Sequence, residues 1–159
     1  MTAATLTVTK HHGLGNDFLV LVDLDGGDAT DRADRRHPHE LPDLSMLARR
    51  LCDRRRGIGA DGLLIASTAH GYDARMVLHN ADGSLAEMSG NGIRCFAQAL
   101  AMRSGSMDPL RILTDAGERT VELRASADPA TLSATVEMGR VEELPEPEGW
   151  STLGAHPDR

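Results

Sequence analysis

NADGSLAEMSGNGIRC, the stretch from Asn80 to Cys95, decides how the rest of the 159-residue chain is read. It sets three glycines, two Asn, an Asp, a Glu and two Ser directly before an apolar run, Ile93 to Met102. A solvated loop has no reason to be joined to such a run, so the stretch reads as a binding turn feeding a buried helix. Plotted at about 100° per residue, the apolar side chains of Gly92 to Arg103 surround nearly the whole helix and leave only Arg94, Gln98 and Arg103 polar. A helix that is apolar all round must be buried. The expected fold is α+β, a curled mixed or antiparallel sheet wrapped around this central helix. Ser89-Gly90-Asn91-Gly92 would sit on the helix's first N–H groups, where unpaired donors and the macrodipole favour a carboxylate or another anion.

Upstream of this stretch, Thr5 to Thr9 alternates Leu6 and Val8 with threonines, the period of a half-buried strand. The segment His11-His12-Gly13-Leu14-Gly15-Asn16-Asp17 reads as a polar turn longer than a hairpin needs, and Phe18 to Val22 (FLVLV) as a second strand paired with the first. Asp23 to Pro42 lacks periodicity and reads as a loop of about twenty residues, a length that points to disorder or an active-site cover. Asp43 then caps a helix whose apolar stripe is Leu44, Leu47, Ala48, Leu51 and Cys52. Arg54, Arg55 and Arg56 follow it as solvated cations near the helix's negative end, with Gly57 beyond. Gly57 to Gly62 forms a second glycine-dense turn; it has neither dinucleotide nor P-loop spacing. Leu63 to Ala66 and Ala74 to His79 read as strands.

Downstream, Leu110 to Thr114, Arg119 to Arg124 and Leu132 to Met138 are strand-like. The first two are joined by a hairpin-type turn, Asp115-Ala116-Gly117-Glu118, and the last two by a loop containing Ala127-Asp128-Pro129. The expected total is at least seven strands and two helices in one domain, residues 1–140. Residues 141–159, which include Glu-Leu-Pro-Glu-Pro-Glu-Gly, read as a linker or tail.

Composition narrows the partners. The net charge of −7 and a pI near 5.4 argue against nucleic acid or an anionic membrane surface, which would require clustered Lys and Arg. No apolar run approaches the roughly 20 residues needed to span a bilayer, and Met1 to Lys10 lacks the layout of a secretory signal, so the expected location is the cytoplasm. Two cysteines, Cys52 and Cys95, form no disulfide framework, and the seven histidines show no metal-ligand spacing. A small-molecule partner is expected, with no metal and no cofactor.

Three ordered motifs, GLGNDF at Gly13 to Phe18, RRGIGADGLL at Arg55 to Leu64, and NADGS-x-AEM-x-GNGIRC from Asn80 to Cys95, together resemble the N-terminal half of diaminopimelate epimerase. Thr114-Asp115-Ala116-Gly117 and Val136-Glu137-Met138-Gly139 fall where that half carries similar segments. The resemblance implies a cofactor-independent amino-acid epimerase with two pseudosymmetric domains, each a curled sheet around a central helix, and substrate in the cleft between them. One cysteine from each domain flanks the α-carbon there, a thiolate removing the proton from one face while a thiol returns one to the other. Asn16 and Asn80 match substrate-contacting asparagines, and Gly90 and Asn91 match the residues whose backbone N–H groups hold the α-carboxylate. Cys95 matches a packing position inside the central helix.

Two departures shape the expected function. Ser89 stands where the family places its first catalytic cysteine. A free thiol titrates near 8.5 and can be tuned to thiolate, whereas a serine hydroxyl has no comparable acidity. Ser89 is also a favoured helix N-cap. The chain moreover ends in the expected linker, before the half that would supply the second thiol. The expectation is the N-terminal domain of an enzyme interconverting LL- and meso-diaminopimelate, inactive on its own and paired with a C-terminal half or a second copy. An epimerase of another amino acid and a non-catalytic amino-acid- or partner-binding relative are the alternatives.

Overall fold

The α2 helix, Gly90–Ser104, sits where its composition requires, with Ile93, Cys95, Phe96, Ala97, Ala99, Leu100 and Ala101 buried. The computed structural model describes residues 6–22, 43–128 and 130–140. The expected loop at 23–42, the expected linker at 141–159 and Pro129 lie outside the described residues. Around α2 the chain forms β1 (Val8–Gly13), β2 (Asn16–Val22), α1 (Leu44–Cys52), β3 (Gly62–Ser67), β4 (Ala74–Asn80), β5 (Leu85–Ala86), β6 (Leu110–Thr114), β7 (Gly117–Ala125) and β8 (Leu132–Val136).

The strands build one mixed sheet in the order β1-β2-β3-β4-β6-β7-β8, with β5 paired to β4. β2 runs parallel to β3 and β4 parallel to β6; the remaining pairs are antiparallel. α2 packs on β1 and β2 near one edge and on β7 and β8 near the other. One straight helix touches both edges because the sheet curls about it, as its all-round apolar surface demands.

The second helix explains the two continuous apolar strands. Side chains alternate across a strand, so Phe18, Val20, Leu64 and Ala66 point to the α2 side while Leu19, Leu21, Leu63 and Ile65 point to the other face. There α1 covers them with Ala48 and Cys52, flanked by Leu44, Leu47 and Leu51. Both faces of β2 and β3 are therefore buried, and neither strand can alternate apolar with polar. At the far edge nothing among the described residues covers the outer face, so Glu122, Arg124, Ser133 and Thr135 are exposed between inward Val121, Leu123 and Ala134. The α1 start is as its sequence predicts, with Asp43 Oδ1 accepting the Met46 N–H at 3.0 Å.

The first hairpin departs from its sequence reading. Its first strand extends to Gly13, well beyond Thr9, and the turn is only Leu14-Gly15, with φ of 51° and 97°. Two left-handed residues match the twist of the flanking strands, and β1 pairs with β2 from Val8↔Leu21 to Gly13↔Asn16. Polarity masked the strand: His11 is buried, yet Gln98 Oε1 and Thr9 Oγ1 each lie 2.9 Å from a ring nitrogen. β5 was absent from the expected strands, and Met102, counted in the apolar run, is 70% exposed.

Phe96 is fully buried at the centre of the α2 core. Phe96→Ala is expected to lose about 3–5 kcal/mol of unfolding free energy, whereas Met102→Ala changes it by no more than about 0.5 kcal/mol. Urea denaturation of both variants checks this, and comparable losses would contradict the central-helix packing.

Candidate functional site

The sheet brings the three sequence motifs to one end of the half-barrel, beside the start of α2. Ser89 is the N-cap in extended backbone; its Oγ accepts the Gly92 N–H at 3.0 Å and its carbonyl accepts that of Ile93 at 2.8 Å. The N–H groups of Gly90 and Asn91 belong to the first turn and have no intrahelical acceptor. With the positive end of the helix dipole behind them, they form a donor pair suited to a carboxylate.

Asn16 and Asn91 meet directly. The Asn91 side-chain amide donates to Asn16 Oδ1 at 2.6 Å, and the Arg94 guanidinium donates to Asn91 Oδ1. On its other side the Asn16 amide donates to Asp61 Oδ2 at 3.1 Å, the same oxygen that accepts the Asp17 N–H. Asp61 and Asp17 are then clamped by Arg54, whose Nη2 lies 2.8 Å from Asp61 Oδ1 and 2.6 Å from Asp17 Oδ1. Lys10 adds a contact to Asp17 Oδ2 at 3.0 Å. Arg54 is thus exposed, as its position after α1 suggests, but it also bridges two carboxylates. The neighbouring Asp53 instead accepts the N–H groups of Arg55 and Arg56.

These contacts set the acidities. Hydrogen bonding to Arg54, aided by Lys10, holds the Asp17 carboxyl far below its ordinary value despite the opposing effect of burial. For Asp61 burial pushes upward, but bonds from Asn16, the Asp17 N–H and Arg54 together leave it lowered. Both carboxyls are ionised at neutral pH, two negative charges facing two cations.

Asn80 ends β4 in register with Gly62. Its side chain serves its own turn, donating to Ser84 Oγ at 2.9 Å, and the next residue's N–H donates to the Asp61 carbonyl at 2.9 Å. The turn is docked on α1: Arg49 Nε donates to the Asp82 carbonyl at 2.6 Å, and a Cβ on Gly83 would come within 2.5 Å of Ser45 Oγ. The candidate residues therefore divide into Ser89, Gly90, Asn91 and Asn16, joined at the helix start, and Asn80, connected to them through Asp61.

Serine, and not a thiol, caps the helix at this donor pair. Burial pushes the Cys52 and Cys95 thiols up, each to about 11, so both remain protonated at neutral pH. Cys95 lies under a groove of about 330 Å³ in the seam between β1 and β8, the edge strands of the sheet among the described residues, with Arg94, Gln98 and Leu132 also lining it. Among the described residues, no three or more His, Cys, Asp or Glu side chains group closely enough to ligate a metal. Among them also, no helix is long and apolar enough to cross a membrane.

Reading the motifs in one dimension missed Arg54, Asp61 and Arg94 as parts of the site. Asp61 and Arg94 lie inside quoted motifs, a signal that they share a location, but glycine-rich turns around them offer a sufficient local explanation.

The sequence model of a family described as diaminopimelate epimerase matches residues 8–144. A diaminopimelate epimerase from Desulfitobacterium hafniense is 42% identical over 135 residues, covering 84% of this chain and 44% of that protein. Another, from Halothermothrix orenii, is 42% identical over 147 residues, covering 88% of this chain and 47% of that protein. The chain thus spans a little under half the length of these two relatives. Among solved structures, a Bacillus anthracis phenazine biosynthesis protein of the PhzF family aligns with a TM-score of 0.51 at 16% identity, over 77% of this chain and 36% of that one. A methylitaconate-delta-isomerase aligns with a TM-score of 0.52 at 12% identity, over 77% and 35%. At such identities these two establish the fold alone.

A carboxyl whose folded pKa lies below its unfolded value, about 3.9 for Asp, stabilises the fold above that value and loses this contribution as pH falls through the folded pKa. Asp17→Asn is therefore expected to be less stable than the unaltered chain by a constant margin between pH 7 and pH 5, a margin that narrows below about pH 4. Urea unfolding across this range checks it, and a margin unchanged at pH 2.5 would remove Asp17 as the linked group.

Proposed function

The chain belongs to the diaminopimelate epimerase family, and from that premise we propose that the start of α2 is one half of a diaminopimelate site whose proton-transferring group is absent. The Gly90 and Asn91 N–H groups hold the α-carboxylate, with Asn16 and Asn80 completing the polar wall. Charge that builds at the carboxylate as the α-proton leaves is stabilised by donors already in place. In a two-base epimerisation of LL- and meso-diaminopimelate, residue 89 would exchange the proton on one face. The observation that carries the reading is Ser89 at that position, with its Oγ accepting the Gly92 N–H. A hydroxyl used as a cap, with no side-chain base bonded to it among the described residues, has no route to an alkoxide at neutral pH. The chain on its own therefore binds without racemising.

A complete site needs a second domain facing this one, and the apolar rim supports that pairing. Leu14 is 85% exposed at the hairpin tip, and Met138 is half exposed with its Cε 3.9 Å from where a Cβ on Gly90 would lie. The reaction is placed in the cytoplasm, without metal or cofactor. The capping bond of Ser89 also favours a second reading, a carboxylate-binding relative that performs no proton transfer with any partner.

The two readings part on one experiment. Diaminopimelate is incubated in D2O with the chain, with the Ser89→Cys chain, and with each after addition of the C-terminal half of the Desulfitobacterium hafniense relative. Deuterium at the α-carbon is expected only for Ser89→Cys with the added half. Exchange by the unaltered chain alone would overturn the inactivity, and exchange in no combination would favour the binding-only relative.

A further inference from the structure

Asn16 and Asn91 are amides, and an amide turned over by 180° exchanges a donor for an acceptor at almost no change in shape. Their orientation is settled by what stands at the two ends of the relay. Asp61, ionised, only accepts; Arg94 only donates. With Asp61 at one end, Asn16 must turn its NH2 toward the carboxylate and its Oδ1 toward Asn91. With Arg94 at the other, Asn91 must turn its Oδ1 toward the guanidinium and its NH2 toward Asn16. The two requirements agree, and reversing either amide would set oxygen against oxygen or N–H against N–H.

The relay uses one N–H of each amide and leaves one over on each. A carboxylate holding Asn16 in place would by itself repel an anionic ligand. Here Arg54 and Lys10 match the charges of Asp61 and Asp17, and Arg94 adds a further cation beside the helix start. Orientation is thereby obtained without net negative charge.

We infer that Asp61 and Arg94 are positioning residues that lock the Asn16–Asn91 pair with its spare N–H groups available, making the site select a carboxylate over a carboxamide at the same place. This selectivity rests on the proposed carboxylate site; the lock itself does not. Asp61 and Arg94 act through the asparagines and need not touch the ligand.

The chain contains three Asn and one Gln, so its side-chain amide spectrum is simple enough to follow each pair. In the ligand-free chain, Arg94→Leu is expected to shift the Asn91 amide and, through it, the Asn16 amide, and to speed hydrogen exchange at both. The Asn80 amide, bonded to Ser84, stays put and reports that the fold is intact, and Arg94→Lys, which keeps a donor, restores the original pattern. An Asn16 amide unmoved by Arg94→Leu, or one already exchanging at the rate of a free amide, would overturn the lock. Asp61→Asn, which can donate as well as accept, tests selectivity: the preference for diaminopimelate over its bis-carboxamide should fall about tenfold, the scale of one charge-assisted hydrogen bond. A preference unchanged in Asp61→Asn overturns the positioning role. Binding of neither ligand by the unaltered chain would sink the carboxylate site, while the amide spectrum still judges the lock.

Discussion

A helix apolar on nearly all sides cannot be half-buried, and this constraint on α2 shapes the rest of the molecule. From Ile93 to Ala101 its core positions have no contact with solvent to speak of, so the sheet has to supply apolar surface on several sides. A flat sheet covers one face of a helix. Seven strands bent into a half-barrel cover most of the circumference, and α2 consequently touches strands at both edges. The seam between β1 and β8, uncovered among the described residues, is where the exceptions in α2 lie: Arg94 and Gln98, one turn apart, occupy the stripe that the sheet does not reach.

Burying a helix in this way also fixes what its first turn can do. Because the middle of α2 is held on several sides, Ser89, Gly90 and Asn91 are presented at a set place on one end of the half-barrel. The same end receives the β1–β2 turn, the segment after α1 and the β4–β5 turn, since β2, β3 and β4 are neighbours with matched registers. Polar residues from four chain segments converge, and they satisfy one another by ion pairs and amide relays. Isolated exposed ion pairs add little stability, but the shared carboxylates of Asp17 and Asp61 add cross-links between segments that the sheet and the Lys10–Gly59 bond also join.

Serine at residue 89 separates two properties that a thiol at a helix N-cap would combine. A side chain at a helix N-cap accepts a backbone N–H, and a proton-transfer group must also change its protonation near neutral pH. Serine does the first well and the second poorly. The two thiols present are held protonated by burial, Cys52 between α1 and the sheet and Cys95 within α2.

Much of this was legible in one dimension. The all-round apolar run demanded a central helix, the uninterrupted FLVLV and LLIA read as strands, and the Asp43 cap marked the start of α1, because each follows from local periodicity and side-chain type. The ordered motifs carried the family and the absence of a cysteine at position 89. Hidden from the sequence were the extent of β1, whose buried His11 is satisfied by Gln98 from α2, and the role of Arg54, whose acceptors lie far along the chain at Asp17 and nearby at Asp61. Which amide faces which partner was equally hidden. Propensity and spacing act between neighbours, so the sequence by itself determined the elements and the chemistry at the helix start. Hydrogen bonds and ion pairs between distant segments depend on where the curled sheet brings their ends together, and only the tertiary structure decided those.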